Sequence, residues 1–241
     1  MTPELSRLAR APRLLVVSDF DGTLAGFSTD AQAVPIEHRS LEALRRLAAC
    51  PHTEVAVLSG RGLAELRQVS GLADPIVLIG SHGAESSTGA PPLTEQQHTA
   101  LTAVTTAYEA IAQRVEGAFV EYKPFHRVLH VIRVADYDIA RSALDQALAV
   151  DIPGVTPKEG KWIVEAGVIE TNKGTWIAQQ RKRADATVFL GDDTTDEDAF
   201  RVLGPTDLGV KVGPGITAAT HRVDDLQGVA DLLTQLADLR S

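Results

Sequence analysis

Short apolar runs alternate with helix-like segments over the first third of this 241-residue chain. The runs at 14–18, 55–58 and 76–79 have the length of buried strands, and the segments at 40–49 and 63–69 between them have helical spacing. Strands that alternate with helices pair in parallel through crossover connections, so the pattern predicts an α/β fold with a doubly wound parallel sheet. Ligands of such sheets bind beyond the carboxyl ends of the strands.

The middle of the chain has a different pattern. A helix with apolar positions from Leu101 to Val115 comes first, and a second helix and four strand-like runs follow, at 137–150 and at 118–122, 128–134, 154–157 and 162–165. Helices combined with a meandering sheet indicate an α+β unit. The strand and helix alternation then returns, with helices at 174–183, 196–203 and 226–239 and strands at 187–190 and 207–212. We therefore predict a core formed by residues 1–92 and 170–241, interrupted by an inserted α+β domain at 93–169.

Composition and charge exclude several classes of protein. The net charge is −9, and the densest basic run is the helix end 181–183, so a nucleic-acid partner is not expected. No apolar stretch approaches the roughly 20 residues that span a bilayer, and the first residues lack the apolar core of a signal peptide. A single cysteine, Cys50, excludes an internal disulfide and suits a reducing compartment. We expect a soluble, cytoplasmic protein without a membrane partner.

Two carboxylates follow the first strand directly, in the run Ser18-Asp19-Phe20-Asp21-Gly22. Residues i and i+2 of an extended segment point to the same side, so Asp19 and Asp21 face one small volume. Like charges this close repel each other at low dielectric unless a hard cation such as Mg²⁺ lies between them. A carboxylate beside such a cation can attack phosphorus, and a second one can exchange protons with the leaving oxygen and with water. The alternative is that both residues only cap a turn.

Further polar residues occupy equivalent positions along the chain. Ser59 and Asp192 each follow an apolar strand run, whereas Lys173 opens a helix. A hydroxyl donor and a cation suit phosphoryl oxygens, and Asp192 gives Mg²⁺ a second carboxylate, with Asp193 and Asp196 in supporting positions. Taken singly, each has a structural alternative as a turn serine, a surface lysine or a helix cap. Their shared placement favours a phosphate site.

These motifs resemble those of the haloacid dehalogenase superfamily, and in detail those of its trehalose-6-phosphate phosphatase family, from Leu14 to about Asp225. The most specific segments are Gly80-Ser81-His82-Gly83-Ala84-Glu85 and Gly191-Asp192-Asp193-Thr194-Thr195-Asp196-Glu197. The resemblance implies a Rossmann-like core with a mobile cap. It also implies that Asp19 is the nucleophile, that Asp21 is the acid and base, and that Mg²⁺ binds Asp19, Asp192 and the backbone carbonyl of Asp21.

Sugar hydroxyls need paired donors and acceptors, and the family-like segments supply candidates. The predicted substrate-binding residues are Arg61, His82, Gly83, Glu85, Glu121, Lys123, His130 and Glu165. The alternative for Glu121 and Lys123 is that they are solvated charges on a strand. Two departures from the family concern the sugar. The arginine of the usual His-Tyr-Arg run is displaced by one position to Arg133, which would turn it to the opposite face, and Gly167-Val168 replaces the usual arginine-proline pair.

The function implied by the resemblance is Mg²⁺-dependent hydrolysis of a phosphorylated disaccharide, trehalose 6-phosphate, through an aspartyl-phosphate. A trehalose-6-phosphate synthase is then a candidate partner. Three alternatives stay open: a phosphatase of another sugar phosphate, such as sucrose 6-phosphate or a mannosyl or glucosyl phosphoglycerate; a phosphomutase on the same scaffold; and a catalytically silent domain that binds a sugar phosphate and regulates a synthase. The presence of Asp19, Asp21, Lys173 and Asp192 argues against the silent domain.

Overall fold

The structure is a computed structural model and describes residues 2–28, 30, 33–89, 93–169 and 171–241. The chain forms two compact units, one made of Met1–Gly89 and Thr171–Ser241 and the other of Ala90–Glu170. None of the helices in the described ranges is both long and apolar enough to cross a membrane.

The first unit is built on a seven-stranded sheet. Its strands are β1 (Leu14–Ser18), β2 (Thr53–Leu58), β3 (Val77–Gly80), β4 (Glu85–Ser86), β9 (Ala186–Gly191), β10 (Leu208–Val212) and β11 (His221–Val223). They lie in the order β11-β10-β9-β1-β2-β3-β4, and all neighbours are parallel except β3 and β4. The predicted α/β fold is confirmed, and its central strand is β1, which places Asp19 at the middle of one sheet edge.

Helices cover both faces of this sheet. They are α1 (Thr2–Ala9), α2 (His38–Ala49), α3 (Leu63–Ser70), α6 (Lys173–Gln180), α7 (Glu197–Arg201) and α8 (Leu226–Arg240). Alternate residues of β1 enter different apolar clusters: Val16 packs with residues of α1, α2 and α8, whereas Val17 packs with residues of α6 and α7. Burial on both faces explains why β1 is a continuous apolar run.

The second unit has one four-stranded antiparallel sheet with two helices. Its elements are α4 (Glu95–Ala112), β5 (Phe119–Tyr122), β6 (His126–His130), α5 (Tyr137–Leu148), β7 (Lys158–Gly160) and β8 (Ile163–Gly167). The strand order is β5-β6-β8-β7. Leu129, Val164 and Ala166 pack with α4 and α5 in one apolar cluster. Because side chains alternate along a strand, His130 and Glu165 lie on the opposite face.

Some predicted element bounds were wrong. The strand predicted at 154–157 lies instead at Lys158–Gly160, which is β7. Pro153 and Pro157 cannot donate ladder hydrogen bonds, and Gly154 has a positive φ of 80°, so the predicted segment does not suit a strand. The strand predicted at 128–134 is shifted to β6 and ends at His130. Arg133 therefore lies beyond the ladder, and its guanidinium lies 4.6 Å from the ring centroid of Phe119. Helix α1 and the short strands β4 and β11 were not predicted.

Candidate active site

The carboxyl end of β1 and the turn after it hold Asp19 and Asp21. The Asp19 amide donates to the carbonyl of Leu190 at 2.8 Å, so the pairing of β1 with β9 continues as far as the Asp19 backbone. Gly22 has a positive φ of 76°, which glycine adopts at little cost. A Cβ at Gly22 would lie 2.0 Å from a carboxylate oxygen of Asp192. The glycine therefore allows the backbone after Asp21 to approach Asp192 closely.

Lys173 is buried against two carboxylates. Its Nζ lies 2.8 Å from Oδ1 of Asp19 and 2.7 Å from Oδ1 of Asp196. Burial alone would lower the pKa of Lys173, but the ion pairs with both carboxylates outweigh it and the pKa is raised. Burial raises the pKa of Asp19, and Lys173 acts against that shift. The Lys173 charge therefore favours the ionised form of Asp19, which is the form that can attack an electrophile.

Three carboxylates form a cluster around this lysine. Asp19, Asp192 and Asp196 each place one ligand oxygen within 4.8 Å of the others. Burial and the neighbouring Asp196 raise the pKa of Asp192 to about 6. When ionised, the three carboxylates outnumber the ammonium groups of Lys173 and Lys211 beside them, and an oxygen-only site with net negative charge fits a hard divalent cation such as Mg²⁺.

Asp196 supports this cluster through its own hydrogen bonds. Its Oδ2 accepts the amides of Asp192 and Asp193, both at 2.9 Å, while its Oδ1 contacts Lys173. One oxygen of Asp196 therefore holds the loop that presents Asp192, and the other binds Lys173. Asp193 caps the short turn that follows, since Oδ1 of its side chain accepts the Thr194 amide at 2.6 Å.

Arg61 binds the carboxylate of Asp21. Its Nε and Nη2 each donate a hydrogen bond of 2.7 Å, one to each carboxylate oxygen, and its Nη1 binds Glu65 on α3. Two parallel bonds to a carboxylate fix both its position and its orientation. Arg61 was predicted to contact a sugar, and the structure pairs it with Asp21 and Glu65.

The segment after β3 adds a strained turn to the same edge. Ser81 and His82 have positive φ values of 49° and 54°, which are uncommon for residues other than glycine. A Cβ at Gly60 would lie 2.7 Å from the His82 ring, so the ring packs on the backbone there. Glu85 accepts a hydrogen bond from the Ser81 hydroxyl and one from the Leu63 amide at 3.4 Å. The turn is thus held in place beside the end of β2.

Within the first unit these residues surround a cleft of about 390 Å³. The described residues that line it are Asp19, Asp21, Phe27, Ser59, Gly60, Arg61, His82, Lys173, Asp192, Asp193 and Thr195. Of the predicted residues, Gly83 and Glu85 lie nearby on the turn after β3. Gly83 has a φ of 111°, and a Cβ there would meet Trp176 at 3.3 Å.

Four predicted sugar-binding residues lie in the second unit, in two pairs. Nε2 of His130 is 2.9 Å from a carboxylate oxygen of Glu121, and Nζ of Lys123 is 3.1 Å from a carboxylate oxygen of Glu165. The His130 ring also stacks on Phe119 at a centroid distance of 4.6 Å. This face of the sheet therefore carries cations and carboxylates side by side.

Sequence reasoning missed three residues near these groups. Lys211 is buried in β10 and donates to the backbone carbonyls of Asp192 and Val212, and a charge in an apolar strand run was a usable signal. His126 lies against Gly167, where a Cβ would be 2.0 Å from its ring. Phe27 lines the cleft, and nothing in its local sequence indicated this.

Comparison with known proteins places these residues in a family. The sequence model of the trehalose-phosphatase family matches residues 17–226. A trehalose-phosphate phosphatase of Mycobacterium ulcerans is 33% identical over an alignment of 247 residues, which covers 94% of this chain and 62% of that protein. A Mycobacterium tuberculosis protein described as an uncharacterized glycosyl hydrolase is 35% identical over 257 residues, which covers 97% of this chain and 19% of that protein. The chain thus spans only part of the length of both relatives.

A solved structure agrees with the sequence comparison. Trehalose-6-phosphate phosphatase from Aspergillus fumigatus superposes with a TM-score of 0.74 and 25% sequence identity, over 99% of this chain and 97% of that chain. The family match begins within β1 and ends at the start of α8, so it includes every residue assigned above to the cleft. The chain therefore belongs to the trehalose-phosphatase family.

Proposed function

We propose that this chain is a Mg²⁺-dependent phosphatase that hydrolyses trehalose 6-phosphate to trehalose and phosphate through an aspartyl-phosphate on Asp19. The observation that carries the proposal is the 2.8 Å contact of Lys173 with Asp19 inside a cluster of three carboxylates. A buried carboxylate at a strand end, with a lysine beside it that favours its ionised form, has the properties of a nucleophile for phosphorus. Membership of the trehalose-phosphatase family supports the choice of substrate.

In the first step a carboxylate oxygen of Asp19 attacks phosphorus, and the bond from phosphorus to the sugar oxygen breaks. Asp21 gives its proton to that oxygen, and trehalose leaves as an alcohol. Asp21 then takes a proton from water, whose oxygen attacks phosphorus and releases phosphate and the Asp19 carboxylate. The two bonds from Arg61 orient the ionised Asp21 carboxylate, which is the form that takes the proton from water, whereas the first transfer requires a proton on one of its oxygens.

Asp19, Asp192 and the backbone carbonyl of Asp21 are the proposed Mg²⁺ ligands. When bound, Mg²⁺ would offset the negative charge that gathers around the transferring phosphoryl group. Lys173 donates to the attacking carboxylate, and the Ser59 hydroxyl at the end of β2 can donate to a phosphoryl oxygen. The close approach of Gly22 to Asp192 supports a role for the adjacent Asp21 carbonyl.

The proposed sugar-binding residues are those of the family-like segments. In the first unit these are Arg61, His82, Gly83 and Glu85, and in the inserted cap they are Glu121, Lys123, His130 and Glu165. The His130–Glu121 and Lys123–Glu165 pairs support this assignment, because adjacent donors and acceptors match sugar hydroxyls. A synthase that makes the same sugar phosphate is the proposed partner. A cytoplasmic location is proposed because the only cysteine, Cys50, has no disulfide to form within the chain.

A different sugar phosphate is the second candidate substrate. It is favoured by one observation, namely that Gly167, against which His126 packs, stands where the family resemblance places an arginine. The chemistry at Asp19 would be the same for either substrate, so only the sugar contacts would differ.

The test is phosphate release by the purified chain with Mg²⁺, using trehalose 6-phosphate, sucrose 6-phosphate and glucosyl 3-phosphoglycerate. We expect trehalose 6-phosphate to have the highest kcat/KM and Asp19→Asn to be inactive on all three. Preference for another member of the panel would replace the substrate. Labelled phosphate that appears on a second hydroxyl of the sugar, rather than free, would indicate a mutase. No turnover of any sugar phosphate would overturn the assignment as a phosphatase.

A further inference from the structure

Phe27 is an exposed aromatic residue next to the catalytic turn. Its relative exposure is 76%. The two residues before it are paired with other parts of the backbone. The Gly26 amide donates to the Pro35 carbonyl at 2.8 Å, and Ala25 forms β-bridges with Asp21 and Ile36. The ring is therefore presented from a backbone that is tied to the turn holding Asp21.

The surroundings of Phe27 distinguish it from an ordinary exposed apolar residue. Single apolar side chains on a surface are common and need no explanation. Among the described residues that line the cleft, however, Phe27 is the only one, glycine apart, that has no polar or charged group in its side chain. The walls near Asp19 and Lys173 can bind a phosphate and a cation, and the phenyl ring gives the same cleft one apolar surface.

A pyranose ring is polar at its hydroxyls and apolar at its C–H groups, so a sugar site needs both kinds of surface. Specific sites commonly combine a few convergent polar groups with apolar or aromatic walls. We infer that Phe27 is a specificity-determining residue that packs against the C–H face of the leaving-group ring. This inference rests on the proposed function, because it takes the phosphate to react at Asp19.

The inference predicts a preference for the class of leaving group. A ring, whether a sugar or an aryl group, can cover the phenyl surface of Phe27, whereas acetyl phosphate is too small to do so. Removing the ring should lower kcat/KM for ring substrates by about tenfold, which corresponds to ~1.4 kcal/mol and to partial burial of a phenyl side chain. Because the side chain is mostly exposed, folding should be unaffected.

The experiment compares Phe27→Ala, Phe27→Tyr and wild type on three phosphate donors: trehalose 6-phosphate, p-nitrophenyl phosphate and acetyl phosphate. We expect Phe27→Ala to lose about tenfold on the two ring substrates and less than twofold on acetyl phosphate. Phe27→Tyr keeps the ring and should retain activity. Ile216→Ala is the matched control, since Ile216 is 100% exposed and does not line the cleft. Its kinetics and the melting temperatures of all variants should match wild type.

The outcomes separate this inference from the proposed function. Unchanged turnover of both ring substrates, or an equal loss on all three donors, would overturn the role of Phe27. If wild type hydrolyses the aryl and acetyl donors but not trehalose 6-phosphate, the substrate assignment fails while the Phe27 test is still decided by the aryl donor. If wild type hydrolyses none of the three donors, calorimetry with phenyl phosphate and methyl phosphate tests the role of Phe27 through binding instead. Weaker binding of phenyl phosphate alone in Phe27→Ala supports the inference, and equal binding overturns it.

Discussion

Arg61 donates two hydrogen bonds of 2.7 Å to the two carboxylate oxygens of Asp21, from a position 40 residues further along the chain. The same guanidinium binds Glu65, so its orientation is set from α3. This contact gives Arg61 a role in positioning the proposed acid and base. A sugar contact is the other role predicted for it, and the two roles have different kinetic consequences.

Replacement of Arg61 by alanine separates these roles. If Arg61 acts through Asp21, kcat should fall by a similar factor, roughly 10- to 100-fold, on trehalose 6-phosphate and on p-nitrophenyl phosphate, because proton transfer loses its orientation. A higher KM for trehalose 6-phosphate with no change on the aryl substrate would instead identify Arg61 as a sugar ligand. Glu65→Gln, which keeps a hydrogen-bonding group beside Arg61, is the mild control and should have a smaller effect.

Substitutions at the two aspartates test the proposed chemistry. Asp19→Asn should remove nearly all turnover with the fold intact, because it deletes the attacking charge at almost constant size. Asp21→Asn should lose on the order of 10²- to 10⁴-fold in kcat, the usual contribution of general acid and base catalysis. Steady-state kinetics with matched melting curves provide the measurement. Most of the wild-type activity remaining in Asp19→Asn would eliminate the aspartyl-phosphate, and an Asp21→Asn effect confined to KM would eliminate its proton transfers.

Metal binding should depend on pH in a defined direction. The pKa of Asp192 is raised to about 6 in the folded metal-free protein from its ordinary value of 3.8, so ionising this carboxyl lowers stability as the pH rises through that window. Mg²⁺ binds the ionised form and should restore stability. We therefore expect Mg²⁺ to raise the melting temperature more at pH 7.5 than at pH 5.

Asp192→Asn is the control for the metal experiment. Without the carboxylate, the metal-free protein should be at least as stable as wild type at pH 7.5, and its melting temperature should gain little from Mg²⁺ at either pH. Chelation should abolish turnover by wild type, and Mg²⁺ should restore it. Full activity after exhaustive metal removal would contradict the proposed cofactor.

Replacing both Glu121 and Lys123 with alanine tests whether the inserted cap binds the sugar. If these residues hold the sugar, kcat/KM for trehalose 6-phosphate should fall severely, and kcat should fall with it because remote contacts help to position the reacting group. An aryl phosphate has no sugar and should be affected much less. Equal losses on both substrates would show that the two residues stabilise the fold of the second unit. Phe27→Ala is expected to give a different pattern, since it should impair the aryl substrate as well.

Local patterns were sufficient to predict the core of the fold. The apolar run of β1 and the alternation of strands with helices indicated the parallel sheet, and the positions of Asp19, Ser59 and Asp192 after strands indicated a common edge. The bounds were least accurate in the second unit, at β6 and β7. There the strands are short, and cross-strand pairing rather than local propensity decides which residues join the ladder.

The spacing of Asp19 and Asp21, the β1 run that ends at them and the family motifs can all be read from the sequence, because each depends only on residues that are near neighbours in the chain. The partners of these groups depend instead on the packing of elements that are far apart in the chain. Lys173 contacts Asp196 across 23 residues, and Arg61 binds Asp21 across 40 residues. Phe27 lines the cleft next to Gly26 and Ala25, whose backbones pair with Pro35 and Ile36. Contacts of this kind depend on how separate elements pack, and no local pattern of residues specifies that packing.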